Sequence, residues 1–308
     1  MLQLQQNVPL GILIVAVASL LFATGATIQH LAVGGTVDAE AENKSMNLRQ
    51  LVRLITNPRW LFGLTLIAIG ALSHIYALMI APVTVVQPVG ILAVPWSVLM
   101  AARIHRHRVT RPMWTAVAMT IVGISGFTFF SATTAAPESQ VEPVQVVLGS
   151  IVVYAIGFGF AALGLKGRNG QFRSLMWASG GSFLYGLSSA LIKSVTVMLA
   201  EPDVLTEPMF WVIVPFLLGS YVFGGIMIQQ AYATGPAEIV VASMTTTDPV
   251  VGVSFGLILL GEGVLITGLD ALGMVVGAFV AVWGVVVLSK HHPDAVARRK
   301  QLAAVGSG

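Results

Sequence analysis

The sequence predicts an all-α integral membrane protein of nine, or ten, transmembrane helices, arranged as two inverted-topology repeats. Three observations lead to this fold class. Of the 308 residues, 56% are hydrophobic and 9% are charged, whereas a soluble domain carries about 25% charged residues. The apolar residues form runs of about 20, the length that spans the hydrocarbon core of a bilayer. One apolar stretch also occurs twice, at a constant offset along the chain.

Nine apolar runs are long enough to be read as membrane spans. They cover residues 8–31, 59–80, 82–102, 112–131, 144–165, 174–198, 209–232, 236–260 and 267–289. The polar segments between them are too short for a soluble catalytic domain. Nucleotide-binding loops and HExxH are absent, so we expect no enzyme activity and no cofactor. The chain has no cysteine, which excludes disulfides and cysteine-ligated metals.

Basic residues mark alternate loops and thereby orient the chain. The loops 132–143 and 199–208 contain acidic residues but no Lys or Arg. The positive-inside rule places the basic loops and the C-terminus in the cytoplasm and the N-terminus on the opposite side of the membrane. The expected location of the protein is the inner (cytoplasmic) membrane. Topology accounts for these basic residues, so no nucleic-acid partner is expected. The orienting residues are Arg103, Arg106, Arg108, Arg111, Lys166, Arg168, Arg173, Lys290, Arg298, Arg299 and Lys300.

The predicted topology divides the chain into two halves joined by a connector. Span one runs inward and span six runs outward, so the two four-span halves have opposite orientations in the membrane. The first half carries a cytoplasmic amphipathic segment near 44–58, whose arginines suit a membrane surface but which also fits a plain tether. The predicted units are the first half-repeat 1–131, the connector 132–172 with linking helix 144–165, the second half-repeat 173–289 and the basic tail 290–308.

The repeated stretch runs from Ala77 to Arg108 and again from Ala231 to Glu262, at an offset of 154 residues. Prolines recur at matching places in both copies. A proline inside a helix removes a backbone donor and kinks or breaks the helix, so Pro88, Pro95 and Pro249 are predicted to lie at helix breaks or hinges. Interrupted spans at matching places in two halves are typical of the central site of a transporter.

Polar side chains inside predicted spans are candidates for that site, because they are costly in a bilayer. Asp248 follows three threonines in the middle of span eight, and Lys193 lies in span six. A Lys193–Asp248 pair is the economical expectation, either as a binding site for a proton or a charged substrate group or as a structural ion pair. The candidate pathway residues are Asp248, Lys193, His74, Gln87, Gln29, Gln229, Thr247 and Tyr185.

The second copy reads P-x12-P-x10-LGE and is followed by Gly273, Gly277 and Gly284. In this it resembles the C-terminal half of the drug/metabolite transporter (DMT) superfamily, of EamA type. The first half is similar to the NIPA-like magnesium-transporter branch of that superfamily. It departs from that branch where Ala71 follows Gly70 in place of a carboxylate, and where the basic RIHRHR follows span three. The residues that carry the NIPA-like resemblance are Trp60, Gly63, Gly70, Ala77, Ala81, Pro82, Val86, Pro88 and Gly90.

The resemblance implies a secondary-active transporter that works by alternating access. Export of a small polar or amphipathic metabolite, driven by a proton or cation gradient, is the function it favours, because the chain carries no nucleotide-binding motif. The expected partners are a small-molecule substrate or a lipid, together with the surrounding membrane lipids. Three alternatives stay open: a flippase for a lipid-linked head group, a NIPA-like divalent-cation transporter, and a membrane scaffold that transports nothing.

Overall fold

The computed structural model describes residues 6–34, 56–104, 110–136, 141–167, 169–234 and 237–290. Within these ranges the regular structure is helical, apart from turns, and contains no strand. The amphipathic segment near 44–58 lies almost wholly outside the described residues, as does the tail after Lys290. The helices are α1 Val8–Gly34, α2 Pro58–Ile80, α3 Val83–Gly90, α4 Ala93–Ile104, α5 Arg111–Thr133, α6 Pro143–Lys166, α7 Gly170–Met198, α8 Pro208–Thr234, α9 Ala237–Leu259 and α10 Gly268–Lys290, with a 3₁₀ turn at Val204–Thr206.

Proline and asparagine set the beginning of several helices. Pro58 and Pro143 occupy the first turn of α2 and α6, where a missing backbone N–H leaves no hydrogen bond unmade. The side chains of Asn57 and Asn169 accept hydrogen bonds from the backbone N–H groups of Arg59 and Gln171, both at 2.9 Å. These caps satisfy donors that the first helical turn leaves free.

Seven helical segments within the described ranges are long and apolar enough to cross a membrane, with α3 and α4 counted as one segment. This confirms the prediction of an all-α membrane protein. The helices α7 and α9 are 29 and 23 residues long but are not among the seven. Both carry polar side chains, and many residues of α7 are buried against other helices. The number of spans and the repeat arrangement therefore stay predictions.

The third predicted span is broken in its middle. The helix α3 ends at Gly90 and α4 begins at Ala93, so residues 91 and 92 form a turn between them. In this turn Ile91 and Leu92 donate backbone hydrogen bonds to Pro88 and Val89, at 3.2 and 3.1 Å. Pro95 lies in the first turn of α4, where its missing donor is tolerated.

The three predicted hinge prolines therefore differ in their surroundings. Pro88 and Pro95 lie on either side of the break between α3 and α4. Pro249 lies inside α9, which runs without a break from Ala237 to Leu259. Neighbouring polar groups and helices can accommodate a proline within a membrane helix. A hinge at Pro249 stays a prediction.

The backbones of α5 and α10 lie so close together that no side chain would fit at Gly123 or Gly277. A Cβ atom added at Gly123 would lie 2.3 Å from the backbone nitrogen of Ala281, and one added at Gly277 would lie 2.6 Å from that of Phe127. The two backbones are therefore in direct contact. Small residues permit this in membrane bundles, where close van der Waals packing drives helix association.

The helix α7 lies at the centre of the second half of the chain and packs against α6, α8 and α9. The main buried core forms around the later turns of α7 and the short helix α3. Its fully buried members include Leu187, Leu191, Val83 and Val86. The same region contains the polar groups described next.

Candidate transport site

Asp248 and Gln87 form a hydrogen bond between the two halves of the chain. The Nε2 atom of Gln87 donates to Oδ1 of Asp248 at 3.3 Å. Gln87 is buried on the broken span, in α3, and Asp248 is half-buried in the middle of α9. Gly252 makes room for the amide, because a Cβ at that position would lie 2.7 Å from Nε2 of Gln87. The two copies of the repeated stretch thus meet at a carboxylate and an amide.

A cavity of about 520 Å³ lies between the early turns of α7 and α9. Its lining is mostly apolar but includes four hydroxyl groups. The hydroxyl oxygens of Ser179 and Ser243 lie 3.3 Å apart across the two helices. Thr247, a predicted pathway residue, is also part of the lining. Since Thr247 directly precedes Asp248, the cavity reaches the residue next to the carboxylate. The lining residues are Asn169, Gln171, Phe172, Leu175, Ser179, Ile239, Ser243, Thr246, Thr247 and Val286.

Tyr185 lies close to this centre on α7. Its ring packs against that of Tyr221 on α8, with ring centroids 6.2 Å apart, and it lies over Gly224, where an added Cβ would be 3.1 Å away. Tyr221 lies within electrostatic reach of Asp248. Tyr221, which packs against Tyr185, therefore lies near the carboxylate.

The predicted pair between Lys193 and Asp248 is wrong. The Nζ atom of Lys193 donates to the carbonyl oxygen of Ala81 at 3.2 Å, and the carboxylate that attracts this ammonium is that of Glu262. The reason is the distance along α7. Asp248 packs level with Gly186, where an added Cβ would lie 2.5 Å from the Asp248 carbonyl oxygen. Lys193 follows seven residues later, about 10 Å further along the helix axis.

Glu262 is the polar residue that the sequence analysis missed. Its side chain is 2% exposed. Its two carboxylate oxygens accept hydrogen bonds from the backbone N–H groups of Val83 and Thr84, both at 2.9 Å. Glu262 therefore caps the N-terminus of α3 from a position 178 residues away in the chain. Glu262 follows the last apolar residue of span eight, so it was not counted among the polar residues inside the membrane. It belongs to the LGE sequence on which the family resemblance rests.

Two further predicted pathway residues, His74 and Gln229, have no described contact with this centre. The polar neighbours of Asp248 among the described residues include Gln87 and Tyr221. His74 is half-buried on α2, and Gln229 is exposed on α8. The side chain of Gln29 lies outside what the structure describes. Within the described ranges, no three His, Asp or Glu residues are grouped so that they could hold a metal ion.

Comparison with known proteins places the chain in a family. Residues 8–294 match the family described as "Magnesium transporter NIPA". An uncharacterized protein of Corynebacterium glutamicum is 21% identical over 290 residues, which are 93% of this chain and 96% of that protein. No solved structure matches the chain. The family match covers most of the chain and agrees with the NIPA-like features of its first half, and the family consists of membrane transporters rather than enzymes. This multi-pass membrane protein therefore belongs to the NIPA magnesium transporter family.

Proposed function

We propose that this protein is a secondary-active transporter that moves a small polar or amphipathic solute by alternating access. The observation that carries the proposal is the hydrogen bond between Gln87 and Asp248. It connects the two copies of the repeated stretch, at an interrupted span, next to a cavity whose lining includes four hydroxyl groups. Interrupted helices that meet near the middle of the membrane hold the substrate and ion sites of many secondary transporters.

Reciprocal contacts between α5 and α10 support the inverted-repeat part of the proposal. Gly123 contacts Ala281, and Gly277 contacts Phe127. The offset of 154 residues relates Gly123 to Gly277 and Phe127 to Ala281. The two contacts are therefore equivalent, with each helix using the corresponding residues of its own half, as a two-fold axis requires. An axis of this kind, lying in the membrane plane, is typical of inverted-topology transporters.

The proposed orientation places the cavity on the cytoplasmic side. Cytoplasmic loops precede α7 and α9 in the predicted topology, and the cavity lies between the early turns of these two helices. A solute would enter there from the cytoplasm, which suits export. Asp248 would bind either the coupling proton or a cationic group of the solute, since a carboxylate inside a membrane is costly unless it is paired or protonated.

We expect single cysteines to report this orientation, because the chain has none of its own. A cysteine in place of the exposed Glu201, in the acidic loop before α8, should react with a membrane-impermeant maleimide in intact cells. A cysteine in place of Gln171, at the start of α7, should react only after the cells are permeabilised. The opposite pattern would overturn the orientation and the cytoplasmic cavity.

Magnesium is the second candidate cargo, and the family match favours it. Mg²⁺ keeps several of its waters and often uses only one or two carboxylates from the protein. Asp248 with the hydroxyls of Thr246 and Thr247 would suit a hydrated ion of this kind. The lack of a three-residue cluster of ligands among the described residues is compatible with such a site.

Transport by purified protein in liposomes tests the proposal and separates the two cargoes. Vesicles containing a magnesium-sensitive dye should report Mg²⁺ entry if the ion is the cargo. Vesicles with an imposed proton gradient should accumulate a radiolabelled polar metabolite if a metabolite is the cargo. Metabolite uptake that collapses with the gradient would support the main proposal, and Mg²⁺ entry alone would replace it. Movement of a lipid head group alone, or of nothing at all, would overturn both.

A further inference from the structure

A buried charge cluster lies at the end of the molecule opposite the cavity. Lys193 lies near the end of α7, 18 residues after the cavity residue Leu175, which corresponds to about 27 Å along the helix axis. Glu262 follows the end of α9, whereas the cavity lies at the beginning of that helix. Lys193 and Glu262 are 3% and 2% exposed. The hydrogen bonds of this cluster go to Ala81, Val83 and Thr84, whereas the central contact joins Gln87 to Asp248.

The cluster fixes the beginning of α3 through backbone groups. Glu262 accepts from the N–H groups of Val83 and Thr84, and Lys193 donates to the carbonyl of Ala81. Both charged side chains come from the second half of the chain, and all three backbone groups belong to the first half. A carboxylate at a helix N-terminus is favoured by the free N–H groups and the helix dipole. The two charges therefore act on the turn between α2 and α3.

The surroundings of the cluster are closed. Val86 and Leu191 are fully buried in the core that surrounds it, as is Leu260, which lies two residues before Glu262. The opposite end of the molecule contains the cavity. Among the described residues, a cavity thus lies at one end and closely packed side chains lie at the other. We call the packed end the sealed end; it consists of two buried opposite charges together with apolar side chains.

We propose that Glu262 and Lys193 are positioning residues that close this end of the transporter, by holding the beginning of α3 against α7 and α9. The inference rests on the alternating-access function proposed above. Gln87 lies only three residues after Thr84, so release of α3 from Glu262 also moves the amide that contacts Asp248. Opening of the sealed end and the state of the central site are therefore coupled through one short helix. Water that enters the opened end hydrates both charges, which offsets the loss of their contacts.

Two cysteine reporters in the purified full-length protein test this inference. Val86→Cys places a thiol in the sealed core, and Leu175→Cys places one in the cavity lining. Glu262→Gln weakens the cap on α3 and leaves the ammonium of Lys193 without its counter-charge. With this change, we expect maleimide labelling to become about tenfold faster at the core reporter and slower at the cavity reporter, a population shift between two states that corresponds to a tenfold change in their ratio. Lys193→Met should shift both rates in the same directions.

Glu207→Gln is the matched control, because it removes a carboxylate that is exposed. It should leave both labelling rates unchanged. Labelling that becomes faster at both cysteines would mean general loosening, and labelling that changes at neither would mean a purely structural cap. Either result would overturn the inference. If Glu262→Gln does not fold, the Lys193→Met variant decides by the same criterion. The labelling experiment needs no cargo. Opposite changes in the two labelling rates, in a protein that transports no solute, would therefore support the closing role of Glu262 and Lys193 and contradict the proposed transport function.

Discussion

Asp248→Asn is expected to abolish gradient-driven transport while the protein stays folded. Asparagine has nearly the shape of aspartate and can still accept the hydrogen bond from Gln87, at 3.3 Å in the wild type. It can neither release a proton nor carry the negative charge that would hold a cationic group. Uptake into liposomes should fall to the level of protein-free vesicles. The free energy of unfolding should change by no more than about 1 kcal/mol, the net value of a typical hydrogen bond.

A second variant shows whether Lys193 has any part in this loss. Since Lys193 contacts Ala81 and is attracted by Glu262, adding Lys193→Met to Asp248→Asn should not restore transport. Restored transport in the double variant would mean that the charge of Asp248 serves only to balance that of Lys193. Gln229→Leu is a suitable control for the assay, because it removes a polar group on the exposed face of α8 and should leave uptake unchanged.

Gly123→Ala is expected to destabilise the protein strongly. Its Cβ would lie 2.3 Å from the backbone nitrogen of Ala281 and 2.7 Å from the carbonyl oxygen of Gly277. These are backbone atoms, so α5 and α10 must move apart along their whole contact. Overpacking of a well-packed contact costs about 1–3 kcal/mol, occasionally more, and a clash between two backbones belongs at the upper end of that range. The loss of stability is measured as a lower melting temperature, with size-exclusion chromatography of heated samples as the detection method.

Gly126→Ala is the matched control for this prediction. Gly126 lies three residues further along the same helix, and a Cβ there would meet nothing within 4 Å. Replacing this glycine should stabilise α5 by about 0.5–1 kcal/mol, through reduced backbone entropy of the unfolded chain. Gly277→Ala should behave like Gly123→Ala, since its Cβ would lie 2.6 Å from the Phe127 nitrogen. Equal stabilities for Gly123→Ala and Gly126→Ala would refute the close contact between α5 and α10.

Much of the fold could be predicted from the sequence, because a bilayer imposes simple rules on a chain. Runs of about 20 apolar residues must form helices that satisfy their own backbone groups. The helices α2, α5 and α6 accordingly begin and end within two residues of the predicted spans 59–80, 112–131 and 144–165. The same logic singled out Asp248 and the prolines near the break, and a role of Asp248 in transport stays a prediction. Charged and donor-deficient residues are costly in lipid and therefore conspicuous in an apolar sequence.

The partners of the charged residues were decided by the tertiary structure. The sequence predicted that Lys193 would need a carboxylate, and Asp248 was the only acidic residue in the middle of a span. The helical rise places Lys193 about 10 Å beyond the level of Asp248, beside the turn that Glu262 caps. Such a pairing depends on how far each helix is shifted along its neighbour. Side-chain packing over several helices sets that shift, and no local pattern in the sequence records it.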